Sequence, residues 1–205
     1  MSTLPPTTLA LTAFILSAVT PVFFAKLRVI PIWLSLQALA LGGFVLAQEG
    51  GLHGITTGLE VLLLRGAVVP WMLRRHLARH ASVANIDTMP SNLFAWGIAA
   101  ALLIVAFRFG DGASSDVRAL SLGTVACALT MAYLILSTNR EPLAQLVAFL
   151  FMENAVMLFE TLLPHPWPAS IHLLLALLYV GFTAIGLWLM HGLFDSPAIA
   201  SEDAQ

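Results

Sequence analysis

Apolar residues run along this chain in long unbroken blocks, separated by short clusters of Pro, Gly and charged residues. A helix needs about 20 mostly apolar residues to cross the hydrocarbon core of a bilayer. Seven blocks meet or approach that length, at 7–24, 29–48, 55–73, 93–109, 119–137, 143–163 and 169–194. The fourth is the shortest and the seventh the longest. The blocks are continuous rather than alternating, which is the pattern of spanning helices and not of a membrane β-barrel. The predicted fold is therefore all-α and polytopic, a single transmembrane helical domain over 1–194 followed by an acidic, disordered tail over 195–205. Composition strengthens this reading: 59% of residues are hydrophobic, 10% are charged and mean hydropathy is +0.90. A soluble domain carries about 25% charged residues, so the lipid bilayer is the expected solvent for most of this surface.

Charge sets the expected orientation. With the N-terminus outside, the cytoplasmic loops hold Lys26, Arg28, Arg74, Arg75, Arg79 and Arg140, and the outer loops hold Arg108 and Arg118. That is six cations against two, with the ninth, Arg65, inside a span. Such a bias predicts an outer N-terminus, an odd number of crossings and a cytoplasmic C-terminus. The first apolar block has no Lys or Arg before it, so it reads as a true first span rather than a cleaved signal. The net charge of −2 argues against nucleic acid as a partner. A lone cysteine, Cys127, excludes a disulfide framework and a thiolate metal site. His76 and His80 share a helix face in the basic stretch RRHLARH, which fits a surface anchor for anionic lipid or a docking face for a partner. The tryptophans mostly fall near span ends, as an aromatic belt requires.

A few polar residues inside the apolar blocks are the candidates for chemistry. An ionised side chain near the bilayer centre costs on the order of 3 kcal/mol by insertion scales, so it faces a bundle interior or a wet cavity. The sixth block carries Gln145, Glu153, Asn154 and Glu160. Glu153 and Glu160 are seven apart, nearly two turns, and share a face. The third block carries Glu60 and Arg65, with Pro70 beyond them. Five residues turn an α-helix by about 140° past a full turn, which places Glu60 and Arg65 poorly for a direct pair. Arg65 is expected instead to reach an acid on another helix, such as Glu153. Pro70 leaves the Gly66 carbonyl without its helical donor, which allows local loosening beside Arg65. Gln37 stands alone in the second block, as helix glue or as a ligand. His172 and His191 lie about 28 Å apart along one helix and read as interfacial. No phosphate loop, nucleophile elbow or paired-histidine haem pattern is present.

The segment NREPLAQLVAFLFMENAVMLFETLL resembles the most characteristic helix of the hydrogenase-4 component E family. In that family a cytoplasmic Arg and a Gln precede an apolar run, a Met-Glu-Asn triplet and a Leu-rich tail. The third block adds Arg65 five residues before Pro70, where the family has a Lys, and then a basic stretch. The specific part covers about forty residues, within a length and span count that fit the whole chain. The family is related to the small K-type subunit of complex I and to the C-type subunit of multisubunit cation/proton antiporters, whose Asn-Ala helix 152–158 resembles. Two departures stand out: Arg65 replaces a Lys and cannot give up its proton, and 173–190 has no acid where the family is expected to carry one.

The resemblance implies a non-catalytic inner-membrane subunit, without a cofactor of its own, beside large antiporter-like membrane subunits and a soluble redox or other energy-coupling arm. It nominates Arg65 and Glu153-Asn154 for a proton or cation path, with Glu60 and Glu160 as further acids. Two alternatives stay open: a purely structural assembly subunit of the same complex, and an autonomous transporter of a small solute or ion.

Overall fold

A computed structural model of the chain describes residues 5–48, 51–89, 93–108, 116–164 and 167–194. The acidic tail at 195–205 lies outside the described residues. The helices are α1 (Pro6–Phe24), α2 (Ile30–Gln48), α3 (Gly51–Arg79), α4 (Leu93–Arg108), α5 (Val117–Thr138), α6 (Pro142–Glu160) and α7 (Ala169–Phe194). Local sequence explains their ends. Pro6 and Pro142 open α1 and α6, where a missing N–H costs nothing. Gly51 turns the chain into α3 at φ +81°, a conformation that other residues rarely adopt. The Asp116 side chain caps α5 by accepting from the Arg118 N–H at 2.8 Å.

Six of these helices are long and apolar enough to cross a membrane. The exception is α4, expected as the fourth span. It has 16 residues, about 24 Å at 1.5 Å per residue, against a hydrocarbon core of about 30 Å. The basic extension after the third apolar block is helical: α3 runs through Arg79 and is 29 residues long.

Helix neighbours form two squares that share an edge. In one, α1 lies between α2 and α5, and α6 completes it; in the other, α2, α3, α7 and α6 enclose a common centre. The shared edge is α2 with α6, and both bury most of their apolar side chains, from Leu34 and Leu41 to Leu150 and Leu158. On the outside, α4 leans on α5. At the basic end, the segment after α3 folds back over the bundle. Lys26 and Asp87 form an isolated bridge, the Leu27 N–H donates to Ile86, and the Thr88 N–H donates to Ala25. The Asn139 side chain donates to the carbonyls of Asp87 and Thr88. Three loops are thereby tied into one cap.

Helices α2 and α3 approach closely through Gly42 and Gly58. A Cβ on Gly42 would lie 2.8 Å from Leu62 Cγ, and one on Gly58 would lie 2.7 Å from Leu46 Cγ. Small residues at such crossings let membrane helices gain van der Waals contact that lipid cannot offer. Replacing Gly58 by Val is expected to cost about 1–3 kcal/mol through overpacking. Gly43→Ala, where a Cβ meets nothing within 4 Å, is the neutral control. Thermal unfolding of the two variants in detergent checks this.

Candidate functional site

The second square is lined with the polar residues that the sequence scatters over four helices. Arg65 stands at its centre and is only 1% exposed. Its Nη1 donates to Asn154 Oδ1 at 3.2 Å, and its guanidinium carbon lies 4.4 Å over the Tyr179 ring. Two carboxylates approach it, Glu60 at 3.9 Å from Nε and Glu153 at 3.8 Å from Nη2. Both distances are ion-pair contacts, longer than direct hydrogen bonds. Asn154 is fully buried and passes the polarity on, its Nδ2 donating to Gln37 Oε1 at 2.9 Å. The arginine thus fixes the Asn154 amide orientation, and Asn154 fixes that of Gln37.

The Glu60 contact corrects the expectation that Glu60 and Arg65 are badly placed for each other. Residues Val61–Val68 are π-helical. Bonding from i to i+5 widens each turn, so residues five apart fall nearer one face than they do in an α-helix, and a separation that fails in an α-helix succeeds here. Pro70 stands just beyond the widened segment. The Gly66 carbonyl, which a Pro at position 70 cannot serve, accepts from Ser35 Oγ of α2 at 2.8 Å. Val69 N–H bonds back to Leu64. Wider winding and a borrowed donor keep the backbone satisfied within an apolar bundle, as a membrane-crossing helix requires.

Glu160, predicted on the stripe of Glu153, is buried but does not join the Arg65 group. Its Oε1 lies 2.9 Å from His172 Nε2 and accepts from the Trp167 N–H at 3.1 Å. His172 is therefore a buried partner of an acid and not simply an interfacial histidine. The two sites share a wall. A cavity of about 150 Å3 is lined by His53, Thr56, Thr57, Glu60, His172 and Leu173, so Glu60 belongs to both. At the opposite end, His76 and His80 stack at 4.4 Å between ring centroids, and His80 meets His191 edge-on at 6.0 Å. Among the described residues, no group of three or more His, Cys, Asp or Glu is arranged to hold a metal ion.

The structure thus brings Arg65, Glu60, Glu153 and Asn154 together and leaves Glu160 on a second site. It adds Gln37, Tyr179 and His172. Each carried a faint signal: Gln37 is the one amide in the interior of an apolar helix, and Tyr179 is one of only two tyrosines in the chain. Glu160 closes α6 and His172 opens α7, so a short connection sets them at one end of the bundle. No protein-family model, no curated protein and no solved structure matches this chain.

Asn154 is the hinge of the hydrogen-bond chain, so Asn154→Leu strips partners from two buried groups. The expected loss of stability is about 1–3 kcal/mol. Adding Gln37→Leu is expected to cost less than the sum of the single changes, because the two residues are in contact. A double-mutant cycle read by unfolding in mixed micelles checks it, and strict additivity would remove the network.

Proposed function

We propose that the chain is a membrane subunit of a complex-I-like or hydrogenase-4-like multisubunit assembly, and that its buried ionisable residues serve proton or cation translocation coupled to a redox reaction. The observation that carries this reading is one permanent cation shared by two carboxylates inside a membrane bundle. Arg65 cannot be deprotonated. One carboxylate balances it, and the second needs another positive charge to avoid a net charge in a low-dielectric setting. That charge is exchangeable where the cation is not: a proton or a small metal cation on Glu60 or Glu153. Arg65 sets the balance, Glu60 and Glu153 carry the exchanging charge, Asn154 orients the guanidinium, and Glu160 forms a second acidic station.

A subunit role draws support from Glu153. Its side chain is 25% exposed at the rim of the second square, beside outward residues of the same half of α6 that are apolar, Val156 and Phe159. A neighbouring polar subunit provides what lipid cannot. In this reading the chain lies in a bacterial inner membrane with seven crossings, α4 being the fourth, an outer N-terminus and a cytoplasmic C-terminus. It is not itself an enzyme and carries no cofactor. Large antiporter-like subunits and a soluble energy-coupling arm are its partners.

The assembly reading has its own support in the Gln37–Asn154–Arg65 chain, which joins α2, α6 and α3. Glu153→Gln separates the two, since it removes a charge without removing volume or the Asn154 bond. The expected result is unchanged recovery of the complex from gentle detergent, with ion translocation in native membrane vesicles reduced to background. Loss of complex yield with coupling intact in what remains would favour the assembly role. Mass spectrometry of the same tagged preparation is expected to find large multi-helix antiporter-like proteins; recovery of the chain alone would overturn the subunit reading.

A further inference from the structure

The cavity beside Glu60 sits where α3 and α7 begin and α6 ends. This is the end opposite the cap of Lys26, Asp87 and Asn139, and in the orientation proposed above it is the outer face. Its walls are chemically mixed. His53 and His172 meet edge-to-face at 5.6 Å between ring centroids. Thr56 and Thr57 present the α3 wall, Leu173 closes the α7 side, and Glu60 is the floor. Apolar cavities stay dry, but a cavity with several polar partners and room for more than one water fills. At about 150 Å3 this one has the room. Its rim is reachable, since Thr56 is exposed and His53 half-buried, whereas Thr57 farther in is buried. Glu60 lies seven residues beyond His53, about 10 Å deeper along the helix, and its carboxylate is the one that faces Arg65 at 3.9 Å.

We propose that this cavity is a water-filled antechamber through which protons pass between the outer face and Glu60, and through Glu60 to the Arg65 centre. The assignment rests on the translocation reading for its purpose, while its physical content, outer water reaching the floor of the pocket, stands apart from that reading. The step is a simple exchange. A hydronium ion in the antechamber gives its proton to a Glu60 carboxylate oxygen and is left as water, and Glu153 then alone balances Arg65. The reverse transfer from the Glu60 carboxyl to water restores the starting state. The charged and titratable groups around Glu60 are Arg65 of its own helix, His53 above it, His172 of α7, and Glu153 and Glu160 of α6. His172, paired with Glu160 at 2.9 Å, is part of the wall past which the proton moves. This makes Glu60 a positioning and exchange residue at the boundary of two sites, and gives the buried group one aqueous side.

The test reads water rather than transport. Single cysteines are placed in the full chain carrying Cys127→Ala, in right-side-out vesicles of the native membrane. The probe is trimethylammonioethyl methanethiosulfonate, a cation that does not cross lipid and reacts with thiolate. Thr57→Cys is compared with Ile55→Cys and Leu59→Cys, which flank it above and below on the outward face of α3. Leu173→Cys is compared in the same way with Leu174→Cys. A thiol in an apolar setting stays protonated and inert, so Thr57→Cys is expected to react about tenfold faster than either neighbour. Leu173→Cys is expected to outpace Leu174→Cys, which keeps the test alive if Thr57→Cys does not reach the membrane. Reaction no faster than at Ile55→Cys and Leu59→Cys, or reaction only when the probe is applied from the face that carries Lys26, overturns the antechamber. Neither outcome touches the Glu153→Gln result, so failure of the antechamber and failure of the translocation reading are told apart.

Discussion

A guanidinium that can never be neutral has been taken out of water at Arg65, and the arrangement of four helices follows from making that tolerable. Removing an ion from water costs several kcal/mol even after relaxation, and only close opposite charge and good hydrogen bonds offset it. Each helix of the second square contributes something: Gln37 from α2 by way of Asn154, Glu60 from α3, Glu153 and Asn154 from α6, and the Tyr179 ring face from α7. The Tyr179 contact has the geometry of a cation–π pair, which gains strength when water is excluded. None of these partners alone satisfies the five N–H donors of an arginine. The site is therefore a property of the helix arrangement rather than of any one helix.

The π-helical stretch is the local consequence of that demand. An α-helical path from Glu60 to Arg65 would aim the two side chains apart, while widening over Val61–Val68 brings them to ion-pair distance. Such widened turns are rare in helices and occur frequently at functional sites. Here the neighbouring helix shares the cost: Ser35 supplies the donor that Pro70 withholds from Gly66. That contact requires α2 and α3 to lie close, which Gly42 and Gly58 permit. Sequence features a helical turn or more apart, two glycines, a serine and a proline, thus serve a single electrostatic purpose.

Much of the architecture was legible in the sequence because lipid leaves the backbone so few choices. Long apolar runs had to be helices, and six of the seven expected spans are helices of spanning length. Arg65 and Glu153 were legible as a pair for the same reason, since each was too costly to leave alone. Glu60 was misread because an ideal turn of 3.6 residues was assumed where the chain winds more widely. Glu160 and His172 were read separately because the spacing of Glu153 and Glu160 suggested a common site, whereas a rise of roughly 10 Å over seven residues carries Glu160 to the next level. Tyr179 went unnoticed because an aromatic in an apolar run looks like packing. Its role appears only when α7 is set beside α3, a tertiary fact that no local period encodes.

The two ends of the second square differ in their lining, and the difference bears on what the centre can do. Toward the end where α3 and α7 begin, Glu60 opens on a cavity of mixed walls. Toward the basic end, the bundle below Arg65 is closed by Val69, Leu73, Leu77, Leu143, Val147 and Phe151, all buried in one apolar cluster. The nearest polar side chain on that stretch of α6, Gln145, is turned to the Asn139 carbonyl near the cap. A charge-exchanging centre wet on one side and sealed on the other cannot by itself carry a charge across the membrane. The partly exposed direction is sideways, at Glu153. If the centre moves charge, the second leg of the path leaves through that flank and continues in a neighbouring subunit. On the translocation reading proposed above, dependence on a partner follows from where α3 and α6 are polar and where they are not.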